Sequence, residues 1–274
     1  MSHPEQIDQD YPLTQEQIDF YRKNGFIQLN DVVTGEALAA LREAVAAAVK
    51  DEGIPDNQAN KTRSSYEALF IQKVNLWQRH AAVKPFSLCR RFGNLAARLA
   101  GRPMRIWHDQ ALFKEPEVGA RTPWHQDTHY WPHREKKDQL SIWIALKDVD
   151  TRNGCMSFLP GTHQYDKIPP INLGNPQDIF ELEPRLKGIK PATCPMKAGS
   201  VTFHNGLTFH YAGPNKSDSM REAFAILYMP DGTTFSGWRH VVTNDENSKL
   251  NEPLCGKDFP MVSDAVFEEQ MATA

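Results

Sequence analysis

The sequence has few of the features that mark several large classes of protein. Its four cysteines, Cys89, Cys155, Cys194 and Cys255, are widely separated and form no CxxC pair, which argues against a structural zinc site and against a disulfide scaffold. The formal net charge is −3, without the basic excess that favours nucleic acid or a membrane surface. We therefore expect neither nucleic acid nor a membrane as partner, and nothing in the sequence indicates the oligomeric state.

Targeting signals are also lacking. The N-terminal stretch MSHPEQIDQDYPLT is polar and acidic, unlike a signal peptide, and the C-terminal QMATA carries no peroxisomal or retention address. No apolar run approaches the roughly 18 residues that a membrane span needs. Together with the cysteine usage, these absences predict a soluble protein of the cytoplasm.

The chain is long enough for one large domain, and β-sandwiches and barrels commonly reach 274 residues as a single unit. We predict one domain over 1–274, with a helical N-terminal part at 12–102. Residues 13–23 carry the capping-box pair Thr14 and Gln17 and stop at Asn24-Gly25. Further helices are predicted for 35–53 and for 85–100, with a loop at 54–66.

From residue 103 the pattern changes to short apolar runs separated by Gly, Pro and Asn. The strand-like runs are MRIWHDQALF, QLSIWIALKDV, CMSFLP, GSVTFHN, LTFHYA and EAFAILYMP. Six such runs without helical crossovers predict an antiparallel barrel or sandwich over 103–232. The Pro-rich block at about 161–197 is predicted to be a long insertion, of the kind that often forms a lid or binding loop.

One short stretch of the β-region, TPWHQDTHYW, brings His125 and Asp127 within two residues of each other. On a strand, residues two apart point to the same face. Two histidines and one carboxylate on one side of an octahedron leave open positions and suit non-haem Fe(II). The third ligand would come from a distant strand, for which both His204 and His210 are candidates.

Three motifs in this order resemble the phytanoyl-CoA dioxygenase family of iron(II)- and 2-oxoglutarate-dependent oxygenases. They are WHQDTHYW, IWIALKDVDTRNGCMSFLPGTH and HNGLTFHYAGPNKSDSMREAFAILYMP. The resemblance runs from about residue 12 to 240. It implies a mainly β fold with flanking helices, in which a double-stranded β-helix (jelly-roll) core carries the helices on one sheet.

The resemblance also implies roles for individual residues. It places Fe(II) on His125, Asp127 and His210, and it favours His210 over His204 because Arg221 follows eleven residues later. It implies that Arg221 anchors 2-oxoglutarate, whose far carboxylate suits a two-pronged guanidinium. It places three more residues at the cosubstrate, namely Trp143, Gln110 and Lys73. One departure is Ala223, where many 2-oxoglutarate oxygenases have a serine.

The resemblance implies a 2-oxoglutarate-dependent dioxygenase that uses Fe(II), 2-oxoglutarate and O2 to hydroxylate a small-molecule substrate, with release of succinate and CO2. The carboxylate of Asp127 favours hydroxylation, since halogenases of the superfamily replace that ligand with a small residue. A second hypothesis is a metal-binding, cupin-like jelly-roll that serves as an isomerase or ligand-binding module without oxygenase activity. Such a module has no need for Arg221 or Trp143 at these positions.

The substrate is the part that the sequence specifies least. Candidate pocket residues are Tyr130, Trp131, His129 and Arg239. Tyr130 and Trp131 are interpreted equally as walls of the substrate pocket or as residues that only pack in the core. His129 and His133 are interpreted either as lining the substrate mouth or as part of a solvated loop, because HREKKD is a charge run. Arg239, like Lys61, Arg63 and Arg134, is either a site for an anionic substrate or a solvated charge. His108 is interpreted either as a core residue or as a pocket residue.

Overall fold

The computed structural model describes residues 3–51, 70–117, 121–165, 168–173 and 175–263. In this part of the chain the helices are α1 (His3–Asp8), α2 (Gln15–Asn24), α3 (Gly35–Lys50), α4 (Leu76–Arg79), α5 (Lys84–Ser87), α6 (Arg90–Ala100) and α7 (Ile179–Leu182). The strands are β1 (Phe26–Leu29), β2 (Phe70–Val74), β3 (Met104–Lys114), β4 (Thr122–His125), β5 (Leu140–Ala145), β6 (Met156–Phe158), β7 (Ala192–Cys194), β8 (Val201–Asn205), β9 (His210–Ala212) and β10 (Arg221–Pro230). Short 3₁₀ turns lie at Asp127–Tyr130, Thr162–Gln164, Pro184–Leu186 and Gly256–Asp258.

The strands form two antiparallel sheets. The larger sheet has the order β1-β8-β5-β10-β3-β2, and the smaller one has the order β4-β9-β6-β7. Apolar side chains from both sheets meet in one buried cluster that includes Trp143, Phe158 and Leu227. The predicted jelly-roll class is confirmed, as a sandwich of two sheets rather than a barrel.

The larger sheet is buried on both faces, and β10 shows how. Phe224, Ile226 and Tyr228 join the cluster that contains the helices, while Ala225 and Leu227 face the smaller sheet. A strand covered on both sides is apolar along nearly its whole length, which explains the run AFAILYMP that follows Glu222. The helices therefore lie on the outer face of this sheet, as predicted.

Helix α2 begins and ends as its sequence predicts. The Thr14 hydroxyl accepts a hydrogen bond from Gln17 N at 3.2 Å, and Thr14 N donates to Gln17 Oε1 at 2.9 Å. Gly25 ends the helix at φ 76, a left-handed conformation that glycine adopts without strain. This helix leads directly into β1 and fixes where the sheet starts.

Replacing Thr14 with alanine removes the cap and is expected to lower the free energy of unfolding by about 1 kcal/mol. Urea denaturation followed by circular dichroism measures the change. Thr14→Ser keeps the hydroxyl and should retain most of the stability. Equal losses in both variants would show that the methyl group, not the cap, matters.

Two sequence predictions about secondary structure were incomplete. The helix predicted at 85–100 is broken, because Cys89 is extended at φ −69 and ψ 146 and separates α5 from α6. This break follows Ser87, whose hydroxyl donates to Asp109 Oδ2 at 2.6 Å. The insertion at 161–197 contains α7 and also β7, which pairs with β6 as the edge of the smaller sheet.

Strand β2 was not predicted at all. The predicted loop at 54–66 and the end of the second helix at Gly53 lie outside the described residues. The division into a single domain stays a prediction. Among the described residues, no helix is both long and apolar enough to cross a membrane.

Candidate active site

His125, Asp127 and His210 come together at one end of a cavity between the two sheets. One ligand atom from each residue lies within 4.8 Å of the others. His125 and His210 are cross-strand partners at the ends of β4 and β9, in the smaller sheet. The His-x-Asp spacing predicted that Asp127 lies on the same strand as His125, and this was wrong. Asp127 instead begins the 3₁₀ turn that follows β4. This turn brings its carboxylate back toward both imidazoles.

The hydrogen bonds of the two histidines show which nitrogen faces the carboxylate. Nδ1 of His125 lies 2.8 Å from Pro123 O, and Nδ1 of His210 lies 3.0 Å from Thr208 O. A carbonyl oxygen only accepts, so each Nδ1 carries the proton and each neutral ring keeps its lone pair on Nε2.

Both Nε2 atoms lie close to the same carboxylate oxygen. Asp127 Oδ1 is 3.4 Å from His125 Nε2 and 3.5 Å from His210 Nε2. Burial lowers the pKa of His210 well below its ordinary value. When neither Nε2 carries a proton, three lone pairs converge and repel one another, and a cation bound among them removes the repulsion. The donor set therefore fits a divalent transition metal.

The second oxygen of Asp127 is held by the larger sheet. Ser141 Oγ donates to Oδ2 at 3.2 Å, and His204 Nε2 lies at 3.2 Å from the same atom. His204 thus orients the carboxylate, and His210 is the third member of the cluster.

Removing one of these two supports should weaken metal binding without removing a ligand. Ser141→Ala is expected to lower the affinity for Fe(II) by about tenfold, at the lower end of the effect of outer hydrogen bonds to metal ligands. Anaerobic titration with Fe(II) measures it. Ser157→Ala is the matched control, since the Ser157 hydroxyl is also buried but pairs with Thr193 at 2.9 Å. Equal affinities in all three proteins would contradict this role.

Arg221 lies at the other end of the same cavity, which has a volume of about 200 Å³. It begins β10 and is 2% exposed. Its guanidinium lies over the Trp143 ring at 5.3 Å and donates to Leu112 O at 2.9 Å. Trp143 and Gln110 also line the cavity, as predicted.

The residue beside Lys73 reaches the cavity instead of Lys73 itself. Gln72 lines the cavity and donates through Nε2 to Gln110 Oε1 at 2.7 Å. Neighbouring residues on a strand point to opposite faces, so Lys73 on β2 is turned away from the lining. The cosubstrate role predicted for Lys73 has no support in this arrangement.

The predicted substrate residues divide into two groups. Tyr130 and Trp131 line the cavity. His129 and Arg239 are not among the described residues that line the cavity. His129 Nε2 lies 2.9 Å from Gln126 Oε1, and Arg239 is exposed. Lys61 and Arg63 lie outside the described residues.

Two residues of the charge run HREKKD, His133 and Lys136, are more buried than the sequence suggests, whereas Arg134, Glu135 and Lys137 are exposed. His133 is 1% exposed and packs on Trp107, with ring centres 4.4 Å apart. Lys136 Nζ donates to Thr128 O at 2.6 Å and to Trp131 O at 2.7 Å. The run therefore fastens the 3₁₀ turn that carries Asp127, and the prediction of a solvated loop was wrong for His133.

Sequence reasoning also missed three residues around the cavity. His240 lines it, next to the exposed Arg239, and no motif marked it. Lys114 is fully buried opposite Arg221 in the β3–β10 ladder, and burial, followed by the charge of Arg221, lowers the pKa of its amine to about 6. Leu173, from the long insertion, contributes an apolar side chain to the lining.

Similarity to known proteins agrees with this geometry. The phytanoyl-CoA dioxygenase (PhyH) family profile matches residues 21–223. The peroxisomal phytanoyl-CoA dioxygenase of Bos taurus is 26% identical over 243 residues, which is 82% of this chain and 72% of that protein. The phytanoyl-CoA dioxygenase of Arabidopsis thaliana is 23% identical and covers 88% of this chain and 96% of its own length. The predicted cytoplasmic location stays a prediction.

Solved structures show the same fold. SnoK, a non-haem alpha-ketoglutarate (2-oxoglutarate) dependent carbocyclase from nogalamycin biosynthesis, has a TM-score of 0.80 and 29% identity and covers 92% of this chain and 97% of its own. SnoN, an epimerase seen with Fe³⁺, alpha-ketoglutarate and nogalamycin RO, has a TM-score of 0.75 and 24% identity, covering 90% and 98%. SnoK depends on 2-oxoglutarate, and SnoN is seen with iron and 2-oxoglutarate, in agreement with the predicted cofactors.

The family profile covers about three quarters of the chain, including all three members of the metal cluster and Arg221. The predicted family and the predicted dioxygenase class are confirmed. This chain belongs to the phytanoyl-CoA dioxygenase family.

Proposed function

We propose that the chain hydroxylates a small-molecule substrate with Fe(II), 2-oxoglutarate and O2, releasing succinate and CO2. The observation that carries the proposal is one buried cavity with two chemically different ends. His125, Asp127 and His210 converge at one end, and Arg221 lies at the other. A metal-binding module without oxygenase activity has no use for the second end.

In this proposal His125 and His210 bind iron through Nε2 and Asp127 binds it through Oδ1. Bound iron supplies the activation of O2 that a protein side chain cannot perform. The chain's own contribution at this end is to hold three ligands on one side and leave the other side open. Ser141 and His204 fix the Asp127 carboxylate in the orientation that this requires.

At the far end Arg221 binds the distal carboxylate of 2-oxoglutarate. Its guanidinium offers two parallel donors, and the Trp143 ring under it limits its rotation. Gln110, steadied by Gln72, lies between this anchor and the metal and can donate to the cosubstrate. The cosubstrate is thus held at both ends before the substrate arrives.

The remaining lining excludes water from the reaction. Tyr130 and Trp131 follow Asp127 in the same turn, and Leu173 approaches from the insertion. The Tyr130 hydroxyl donates to Ile171 O, which ties the insertion to the turn. In the proposed function these side chains shield the reacting atoms.

Anaerobic titration of the Fe(II) protein with 2-oxoglutarate tests the cofactor part of the proposal. A weak visible charge-transfer band that saturates at one equivalent supports an oxygenase. Absence of the band at saturating cosubstrate would favour the ligand-binding module.

Mass analysis of the product tests the hydroxylation part. A gain of one oxygen atom, matched by one succinate, is the expected result. A product of unchanged mass, or one that has lost two hydrogens, would keep the enzyme class but overturn hydroxylation.

A further inference from the structure

The cavity contains a polar corner that neither the metal nor the anchor explains. His204, Ser141, Leu227 and His108 form one row across β8, β5, β10 and β3. Ser141 supports Asp127 at one end of this row. His108 stands two strands away at the other end, roughly 10 Å across the sheet at the usual strand spacing.

In the proposed function, 2-oxoglutarate does not use this corner. Arg221 pairs with Lys114, six residues along β10 from the pair formed by Leu227 and His108. Leu227 also pairs with Ser141, so His108 lies in the row that supports Asp127 and not beside Arg221. A cosubstrate that extends from Arg221 to the metal leaves His108 for the substrate.

A β-bulge places His108 in the cavity. Tyr228 pairs with Ile106 and Leu227 pairs with His108, so Trp107 is an extra residue in β3. Ile106 packs toward the helices, whereas Trp107 and His108 both face the space between the sheets. Bulges beside active sites commonly redirect a side chain in this way.

His240 completes the corner. It lies in the segment after β10, and its ring stacks on that of His108 with centres 5.5 Å apart and an angle of 29°. Both rings line the cavity. Burial lowers the pKa of His108 to about 3 and that of His240 to about 4. Both imidazoles are therefore neutral near pH 7.

The backbone selects a different tautomer for each ring. His108 Nδ1 lies 3.2 Å from Asp109 O, so it carries the proton and Nε2 is an acceptor. Val242 N donates to His240 Nδ1 at 3.4 Å, so Nδ1 is the acceptor there and Nε2 carries the proton. The corner thus offers one acceptor, on His108, and one donor, on His240, from two rings whose centres are 5.5 Å apart.

We propose that His108 and His240 bind a hydroxyl group of a neutral substrate, which donates to His108 Nε2 and accepts from His240 Nε2–H. A hydroxyl satisfies both nitrogens with one oxygen. Among the described residues that line the cavity, Arg221 is the only lysine or arginine, so an anionic group at this corner has no fixed cation to meet it. The inference rests on the proposed function, because it assumes that 2-oxoglutarate occupies the Arg221 end.

Three fluorinated probes test the proposal by ¹⁹F NMR, on the protein loaded with 2-oxoglutarate and with Zn(II) in place of iron. They are 4-fluorobenzyl alcohol, its methyl ether and 4-fluorobenzoate. The alcohol is expected to bind the wild-type protein about tenfold more tightly than the ether, which cannot donate to His108. The benzoate is expected to bind more weakly than the alcohol.

Substitutions of His108 and His240 test whether these two rings cause the preference for the alcohol over the ether. His108→Phe and His240→Phe keep an aromatic ring without nitrogens and should reduce the alcohol-to-ether ratio to about one. His108→Gln keeps an acceptor and should restore part of it. His80→Gln is the matched control, since His80 is half-buried and outside the described lining, and it should leave the ratio unchanged.

Each variant is first checked for 2-oxoglutarate binding like that of the wild type, which shows that the cavity is intact. If a phenylalanine variant fails this check, the glutamine variant at His108 decides the outcome. The proposal is overturned if the alcohol does not bind at millimolar concentration, if alcohol and ether bind equally, or if the benzoate binds best. Failure of the wild-type Fe(II) protein to bind 2-oxoglutarate would instead contradict the proposed function.

Discussion

Asp127→Ala is expected to abolish turnover and to weaken Fe(II) binding by more than about a hundredfold, since even an outer partner of a metal ligand can account for 10–100-fold. Asp127 is the only carboxylate in the cluster formed by the described residues. Without it, two imidazoles remain to hold a divalent ion. The hydroxyl of Ser141 and Nε2 of His204 lose their acceptor, but both can turn to water in the enlarged cavity, so the fold should persist.

Metal content after anaerobic reconstitution measures this effect, and circular dichroism shows whether the fold is kept. Asp148→Ala is the matched control, because Asp148 is an aspartate outside the cavity that pairs with Lys197 at 2.7 Å. Asp127→Asn separates charge from shape, since it keeps the acceptor oxygen but not the negative charge. Full iron content and full turnover in Asp127→Ala would refute the assignment of the metal site.

Arg221→Ala is expected to raise the 2-oxoglutarate requirement by roughly tenfold to a hundredfold while leaving Fe(II) affinity nearly unchanged. Each charge-assisted hydrogen bond to a carboxylate is worth about 1.5–3 kcal/mol, and about 1.4 kcal/mol corresponds to one decade. Lys114 cannot take over the role, because its amine already donates to Ala212 O at 3.2 Å and to Gly213 O at 2.7 Å. Arg221→Lys should fall between the two, as it keeps the charge but loses the planar fork.

The dependence of the charge-transfer band on cosubstrate concentration measures the change. A smaller 2-oxo acid without the far carboxylate provides the internal control, and it should bind wild type and Arg221→Ala almost equally. If both proteins preferred 2-oxoglutarate to the smaller acid by the same factor, Arg221 would not be the anchor. Lys73, although turned away from the cavity lining, would then be the next residue to test.

Core positions of the fold could be predicted because they leave a local mark in the sequence. Residues 223–230 of β10 form an unbroken apolar run, since helices cover one face of the strand and the smaller sheet covers the other. The capping box at Thr14 is formed by residues three apart in the chain. The resemblance to the family also singled out His125 and His210, and they are direct cross-strand partners.

What could not be predicted depends on contacts that are distant in sequence. The bulge at Trp107 follows from a register shift against β10, and nothing in MRIWHDQALF marks it. The short strand Ala192–Cys194 is hidden in a Pro-rich insertion because it is held by β6 rather than by its own pattern. Lys136 resembles a solvated charge until the carbonyls of Thr128 and Trp131 are seen around it.

The position of the metal cluster between the sheets has a consequence for how the sandwich comes apart. His125 and His210 belong to the smaller sheet, while Ser141 and His204, which hold the Asp127 carboxylate, belong to the larger one. An ion bound there would connect the two sheets, because its ligands and the groups that hold the Asp127 carboxylate come from different sheets. A ligand that binds only the folded state adds about 2.7 kcal/mol at a hundred times its dissociation constant. The two layers of the iron-loaded protein are therefore expected to separate less readily than those of the apoprotein.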